Sequence, residues 1–556
     1  MSFLSLRRRL PLLLILSALI VGTLLWLRAL WPQALPEPPL AAGQTGPRIP
    51  CLSYAPFRDP ALSPLRPGPS VSPAQIKADL RQLRSLTDCV RTYAVDRGLE
   101  AVPAVAERLG MRVKLGAWIG RDPVANARQV REAIALARAH PQAVELLIVG
   151  NEVLLRQEQS PQALAELLAA ARRDSPVPVT YADVWEFWWR HAELLGPQVD
   201  RVTVHILPYW EDEPVAVDQA VDHVLDLAAR SQARFPDQPI LVGETGWPAA
   251  GRQRQGAVPG RVEQARFHRE LLLRSAGTGL DFNLIEAYDQ PWKRALEGAM
   301  GQAWGLFTAA GEPRFPWQGP VDSGLSPLPV PLAAAAFGLL AGWLSRRGLG
   351  PLDRAGVIAA AALAGGLLPA QLDSLGLWGR APLDPWVAGL TVACGSLLAL
   401  GLVHALMQRL RAGEAGRYRP SWPGLREAWA MPQPAACRLA ATLRGLYLFG
   451  VSSLLLWQVL DGRYRGFPLA LLVAPAVLGA ALAMLGERLP AAAREERLMA
   501  ALIVAGALAL PGLEGLANHQ ALAYALGLLA LGLPLLLPPR LASSASSSAG
   551  AEGSAA

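Results

Sequence analysis

Leu146-Leu-Ile-Val-Gly-Asn-Glu-Val153 and Ile240-Leu-Val-Gly-Glu-Thr-Gly-Trp-Pro248 are short apolar runs that each end on a glutamate, Glu152 and Glu244. Leu146 to Val149 and Ile240 to Val242 are apolar at every position, the pattern of strands covered on both faces in a parallel sheet. Working outward, eight candidate strands follow one another between residues 48 and 320: CLSYAPF from Cys51, CVRTYAV from Cys89, RVKLGAW from Arg112, ELLIVGN from Glu145, PVTYADV from Pro178, RVTVHIL from Arg201, PILVGET from Pro239 and FNLIEAY from Phe282. Helical patterns separate them, and Pro73, Pro123 and Pro161, directly after Ser72, Asp122 and Ser160, mark three helix starts. Strand and helix alternating over close to the roughly 250 residues usual for such a fold predict a (β/α)8 barrel. An open doubly wound sheet is the alternative, but no Gly-rich phosphate loop supports it.

Residues just past the carboxyl ends of barrel strands converge on one mouth, so Glu152 and Glu244 become neighbours despite their separation in sequence. A lone glutamate after an apolar strand is usually a solvated loop residue or a helix N-cap partner. Two of them, three strand-helix units apart, suit cleavage of a glycosidic bond, which needs a neutral carboxyl to protonate the leaving oxygen and an ionised one to attack or to activate water.

With 556 residues, 52% of them hydrophobic, the chain is too long and too apolar for one ordinary soluble domain. The excess lies at the two ends. One apolar run, Leu10 to Trp31, follows Arg7, Arg8 and Arg9; further runs repeat from Leu328 onward. The organisation expected is an N-terminal transmembrane anchor (1–31), a Pro-rich linker (32–47), the barrel (48–320), a helical region of seven further transmembrane spans (321–540) and a disordered tail (541–556). Those seven spans are expected near 328–344, 355–371, 386–407, 445–460, 467–485, 498–515 and 520–538.

The net charge of +7 comes from the apolar ends, because residues 48–320 carry 31 basic and 32 acidic side chains. That distribution excludes a basic nucleic-acid face and fits positively charged inner loops: Arg346, Arg347 and Arg354 in one, Arg409 to Arg444 in the next, Arg488 to Arg497 in a third. It predicts a multi-pass inner-membrane protein with the barrel on the periplasmic, extracytoplasmic side. Glu514 and His404 lie near span ends, where solvation or snorkelling accounts for them. Cys51 and Cys89 open the first two strands, where they are either a disulfide or two small buried hydrophobes; Cys394 and Cys437 have no metal-ligand spacing. No cofactor and no metal site is expected.

The strings GNEV and GETGWP resemble glycoside hydrolase family 17, the β-1,3-glucan hydrolases and glucanosyltransferases with a retaining β/α barrel, and the resemblance extends from about Arg48 to Pro320. It implies Glu152 as acid/base, Glu244 as nucleophile, Asn151 as the partner of the sugar 2-hydroxyl, and Trp247 stacked on a ring. EAYDQPWK resembles the family's closing string, with Tyr288, Asp289 and Lys293 matching and Gln290 in place of a carboxylate. WGLFTAAGEPRF resembles its last segment. Tyr54, Tyr93 and the preceding Arg91 fall at its positions on the first two strands. On the sixth strand Pro208 and Tyr209 match, while His205 and Leu207 depart, and His205 is expected to be a hydrogen-bonded barrel residue. The aromatic stretch Trp185-Glu-Phe-Trp-Trp189 either lines sugar subsites, Trp185 foremost, or packs on the membrane surface or the barrel's own helices.

The expectation is a membrane-bound, retaining β-glucan-active enzyme, hydrolysing or transferring, whose partners are a β-glucan poly- or oligosaccharide, the membrane and a glucan synthase or exporter. The rival reading is a noncatalytic glucan-binding or assembly subunit, with Gln290 as its sequence support. A third has the multispan half transport glucan.

Overall fold

Short, largely apolar strands bury both faces by closing on one another. In the computed structural model, which describes residues 3–40, 46–66, 68–412, 429, 435–485 and 494–536, eight do so. They are β1 (Cys51–Ser53), β2 (Cys89–Arg91), β3 (Arg112–Ala117), β4 (Val144–Asn151), β5 (Val179–Val184), β6 (Val202–His205), β7 (Ile240–Thr245) and β8 (Asp281–Leu284). All pair in parallel, each with the next, and β8 returns to β1 through Cys51↔Asn283 and Leu52↔Leu284. The three proline-marked helices start where the sequence places them. Ser72, Asp122 and Ser160 are N-caps whose side chains accept from the amides of Gln75 (3.2 Å), Val124 (2.9 Å) and Ala163 (3.2 Å). Cys51 and Cys89, brought side by side by the β1–β2 register, form a disulfide.

Helices lie at all eight apolar stretches: Phe3–Leu30, Pro329–Leu344, Pro351–Trp378, Asp384–Ala412, Ala435–Leu460, Ala470–Met484, Arg494–Glu514 and His519–Leu536. Six are long and apolar enough to cross a membrane. Pro329–Leu344 and Ala470–Met484, of 16 and 15 residues, are shorter. At about 1.5 Å per residue these two fall below the roughly 30 Å of a bilayer's apolar core. The tail 541–556, the Cys437 side chain, and residues 413–428 and 486–493 of the two expected basic loops lie outside the described residues.

Two details differ from the sequence expectations, and a third, the aromatic stretch, takes one of the readings left open there. The Pro-rich stretch is pinned to the barrel: Gln33 and Val321 exchange backbone hydrogen bonds of 2.8 and 2.9 Å, and Leu35 is buried in the barrel core. The aromatic stretch after β5 is a short helix, Trp185–Arg190, packed on the helix Val217–Arg234. Glu514 is neither solvated nor snorkelling. It pairs with Arg252 of the β7 loop and accepts from Asn518 Nδ2 at 3.2 Å. The barrel mouth thereby meets the helical region, because the loops after β6, β7 and β8 all contact it.

Candidate active site

The backbone turns sharply at each glutamate. Gly150 takes φ +88° and Glu152 itself φ +53°, a left-handed conformation rare for a side chain of this size, which lifts its carboxyl out of the strand into the mouth. On β7, a Cβ at Gly243 would stand 2.9 Å from the His205 ring, so glycine is what lets β6 and β7 carry His205 and Glu244 side by side. One carboxylate oxygen each of Glu152 and Glu244 and one ring nitrogen of His205 lie within 4.8 Å of one another. So close an approach goes with the about 5 to 5.5 Å carboxyl separation of retaining glycosidases and not with the roughly 6.5 to 9.5 Å of inverting ones.

The two carboxyls sit in opposite electrostatic settings. Burial, followed by the charges of Glu244 and Asp183, pushes Glu152 up to about 8 against the pull of Arg156, so it holds its proton at neutral pH. Burial also works to raise Glu244, but His205, Arg91 and Lys293 outweigh it and hold the group down to about 2. Burial keeps His205 itself neutral, pushed down to about 4, so the lasting positive charge beside Glu244 is the fully buried Arg91. Arg91 donates to Glu244 and to Asn151 Oδ1, and Tyr93 adds its hydroxyl to Glu244 Oε1 at 2.9 Å. His205 Nε2 lies 3.0 Å from Asn151 Oδ1. With Oδ1 held by two donors, the Asn151 amide NH2 is the end left to meet a substrate hydroxyl. Glu152, His205 and Glu244 have the ligand types for a cation, yet Arg91 already pairs with the negative charge that Glu244 would offer to one.

The cleft around the pair has a cavity volume of about 420 Å³. Of the residues singled out in the sequence, Glu152, Glu244, Asn151, Tyr93 and Lys293 line it. Tyr54, Tyr209, Trp247 and Tyr288 do not; they are fully buried behind it. Tyr54 donates to Asp79 (2.9 Å), Tyr209 to the Arg252 carbonyl (2.6 Å), Trp247 to the Val258 carbonyl (2.9 Å) and Tyr288 to Gln82 (2.8 Å). A ring with its polar end satisfied inside the protein braces the mouth and has no face for a sugar. Asp289 is likewise engaged, by Arg314 and by the amide of Gly305 at 3.0 Å. Trp185 is half-buried edge-on against Trp189, with ring centroids 4.7 Å apart, away from the cleft. Trp188 is wedged between Tyr181 and Phe235. The aromatic wall is made instead by Trp118, Trp210, Trp292 and Trp304.

Gln290 is remote from the proton chemistry. It donates to the carbonyls of Ala55 (2.6 Å) and Tyr288 (3.1 Å), bonds a carboxylate has no hydrogen to make, and accepts from Trp292 Nε1 (2.8 Å). The carboxyls around Lys293 are Glu286, 3.1 Å away, and Glu297, neither singled out in the sequence. Burial pushes Glu286 up to about 8 despite Lys293 and raises Glu297 as well, the opposite direction to Glu244. Glu286 had a signal, since FNLIE is again an apolar run ending on glutamate. Glu297, on the helix Arg294–Gly301, had none.

A parallel barrel carrying one protonated and one ionised carboxyl at this spacing defines a glycoside hydrolase. Residues 51–305 match the family model of the BtgE/BtgC glycoside hydrolase domain. A glucan 1,3-beta-glucosidase of Arthroderma benhamiae is 28% identical over 267 residues, 44% of this chain and 83% of its own length. A probable beta-glucosidase btgE of Aspergillus fumigatus is 27% identical over 224 residues, and there the match spans 39% of either chain. Among solved structures, an active-site mutant of Rhizomucor miehei beta-1,3-glucanosyltransferase in complex with laminaritriose superposes with a TM-score of 0.43 at 24% identity, covering 50% of this chain and 98% of its own.

Proposed function

We propose that the protein is a membrane-bound enzyme that acts on β-1,3-linked glucan by double displacement with retention, from a barrel on the extracytoplasmic side. Glu152 protonates the leaving oxygen while Glu244 attacks the anomeric carbon; Glu152 then takes a proton from the acceptor, which restores both groups. The single observation that carries this is the opposed protonation of two carboxyls whose oxygens lie within 4.8 Å. Asn151 holds the sugar 2-hydroxyl, a contact that tightens in the transition state. The substrate class rests on the relatives' names, since a glucan 1,3-beta-glucosidase shares this domain.

Six helices of membrane-crossing length, a net positive charge that lies wholly outside the barrel, and a disulfide suited to an oxidising compartment support the location. A membrane-fixed barrel suits remodelling of newly exported polymer, beside a glucan synthase or exporter, better than foraging. The noncatalytic alternative rested on Gln290, which here bonds to backbone and to Trp292 and leaves the carboxyl pair intact.

Incubating the full-length protein in detergent with laminari-oligosaccharides, and resolving products by size and linkage, tests the reading. Products longer than the substrate mean transfer, only shorter ones mean hydrolysis, and no product, with Glu244→Gln indistinguishable from wild type, removes the enzymatic reading.

A further inference from the structure

Part of the cleft wall is Trp210, Leu296 and Glu297, and against it packs the 461–467 loop of the helical region. That loop is rigidly held. Asp461 accepts two bonds from Arg380 (2.5 and 2.6 Å), Arg465 pairs with Asp384 (2.7 Å), and the Gly466 carbonyl accepts from Trp378 Nε1 and Gln458 Nε2, both at 2.9 Å. It presents Arg463 and Tyr464 to the barrel. Arg463 donates to the Trp210 carbonyl at 3.0 Å, and its guanidinium lies 4.8 Å from the Trp210 ring centroid. The Tyr464 ring is 5.9 Å from the same ring, and Arg254 of the β7 loop adds a second guanidinium at 5.2 Å. Backbone contact seals the seam beside it: a Cβ at Gly298, where φ is +73°, would stand 2.1 Å from the Tyr464 carbonyl oxygen. Trp210 is therefore gripped from outside the barrel, and the helical region packs directly behind this part of the cleft wall.

We infer that the 461–467 loop is the end wall of the substrate cleft: by clamping Trp210, Arg463 and Tyr464 stop the glucan at that end and set how many sugar units the site accepts. The helical region is then part of the specificity apparatus as well as an anchor. Arg463 and Tyr464 act through Trp210 and touch none of the reacting atoms, so they are positioning residues. The exposed Arg463–Asp212 pair (3.2 Å) contributes little, and the grip comes from ring packing.

The inference rests on the glucan reading above, and one experiment separates the two. kcat and KM are measured on laminari-oligosaccharides of three to six units with the full-length protein, the Arg463→Ala/Tyr464→Ala variant and the conservative Arg463→Lys/Tyr464→Phe variant. Opening the wall is expected to raise the ratio of kcat/KM for the longest over the shortest substrate by about threefold or more, through KM, with kcat on the shortest unchanged and the conservative variant near wild type. Arg463→Ala alone, an exposed surface change, carries the same expectation at smaller size should the double variant not fold. A ratio that stays flat or falls, in a wild type that turns these substrates over, overturns the inference alone. A wild type that turns none of them over overturns the glucan reading and the inference together.

Discussion

Arg91 on β2 forms a fully buried ion pair with Glu244 on β7, reaching across the barrel interior between strands that are not neighbours. The contact helps to keep Glu244 ionised, because it gives that carboxylate a direct ion-pair partner beside the pull of His205 and Lys293. Removing it should therefore change chemistry as well as stability. Arg91→Met leaves a buried carboxylate without its partner. It should cost about 3 to 5 kcal/mol of stability and move the acidic limb of the pH–rate profile upward. Thermal melts and the profile of the variant, if both match wild type, would show that the pair does neither.

Replacing the two glutamates should have unequal effects. Glu244→Gln removes the nucleophile and should lower kcat by about 10³-fold or more on every substrate. Glu152→Gln removes the acid, worth about 10²- to 10⁴-fold on glucan, but should spare the first step on aryl glucosides whose leaving group needs no proton. Equal losses on glucan and on a dinitrophenyl glucoside would count against these assignments.

The pH dependence has a definite sign. Glu152 must be protonated to act, so kcat/KM falls as pH rises through about 8. Glu244 must be ionised, and held down to about 2 it loses activity only near that pH. For stability, the folded protein keeps a proton on Glu152 that the unfolded chain releases above 4.5, so this group's contribution falls as pH rises from 4.5 to about 8. Glu244 acts oppositely, contributing stability above 4.5 that is lost as pH falls toward about 2. Denaturant titrations of Glu152→Gln between pH 4.5 and about 8 should show stability falling less steeply with pH than in wild type.

Tyr93→Phe removes the 2.9 Å hydroxyl bond to Glu244 while keeping the ring beside Arg91. It should lower kcat about tenfold with little change in KM, because that bond orients the nucleophile. A change confined to KM would place Tyr93 among the simple sugar contacts.

The disulfide closes a loop with a sequence separation of 38. Cys51→Ser/Cys89→Ser should lower stability by about 3 to 4 kcal/mol without changing the relative rates on different oligosaccharides. Unchanged melting with and without reductant would refute this.

The local pattern of the chain determined the barrel, the three capped helix starts and the pair Glu152 and Glu244. Apolar periodicity, proline at a first helical turn and a carboxyl at a strand end are all properties of a few consecutive residues. Contacts between distant segments decided the rest. Tyr54, Trp247 and Tyr288 carry the residue types of a sugar site, yet their hydroxyl or indole groups are satisfied inside the protein, and only packing distinguishes such a ring from one that lines a cleft. Glu297, the change of partners around Lys293 and Gln290, and the meeting of Tyr464 with Trp210 join elements far apart in sequence, and no periodicity encodes them. The protonation of the glutamates belongs to the same class: both follow apolar strands and look alike as strings, and they separate because burial raises both while His205, Arg91 and Lys293 gather on Glu244.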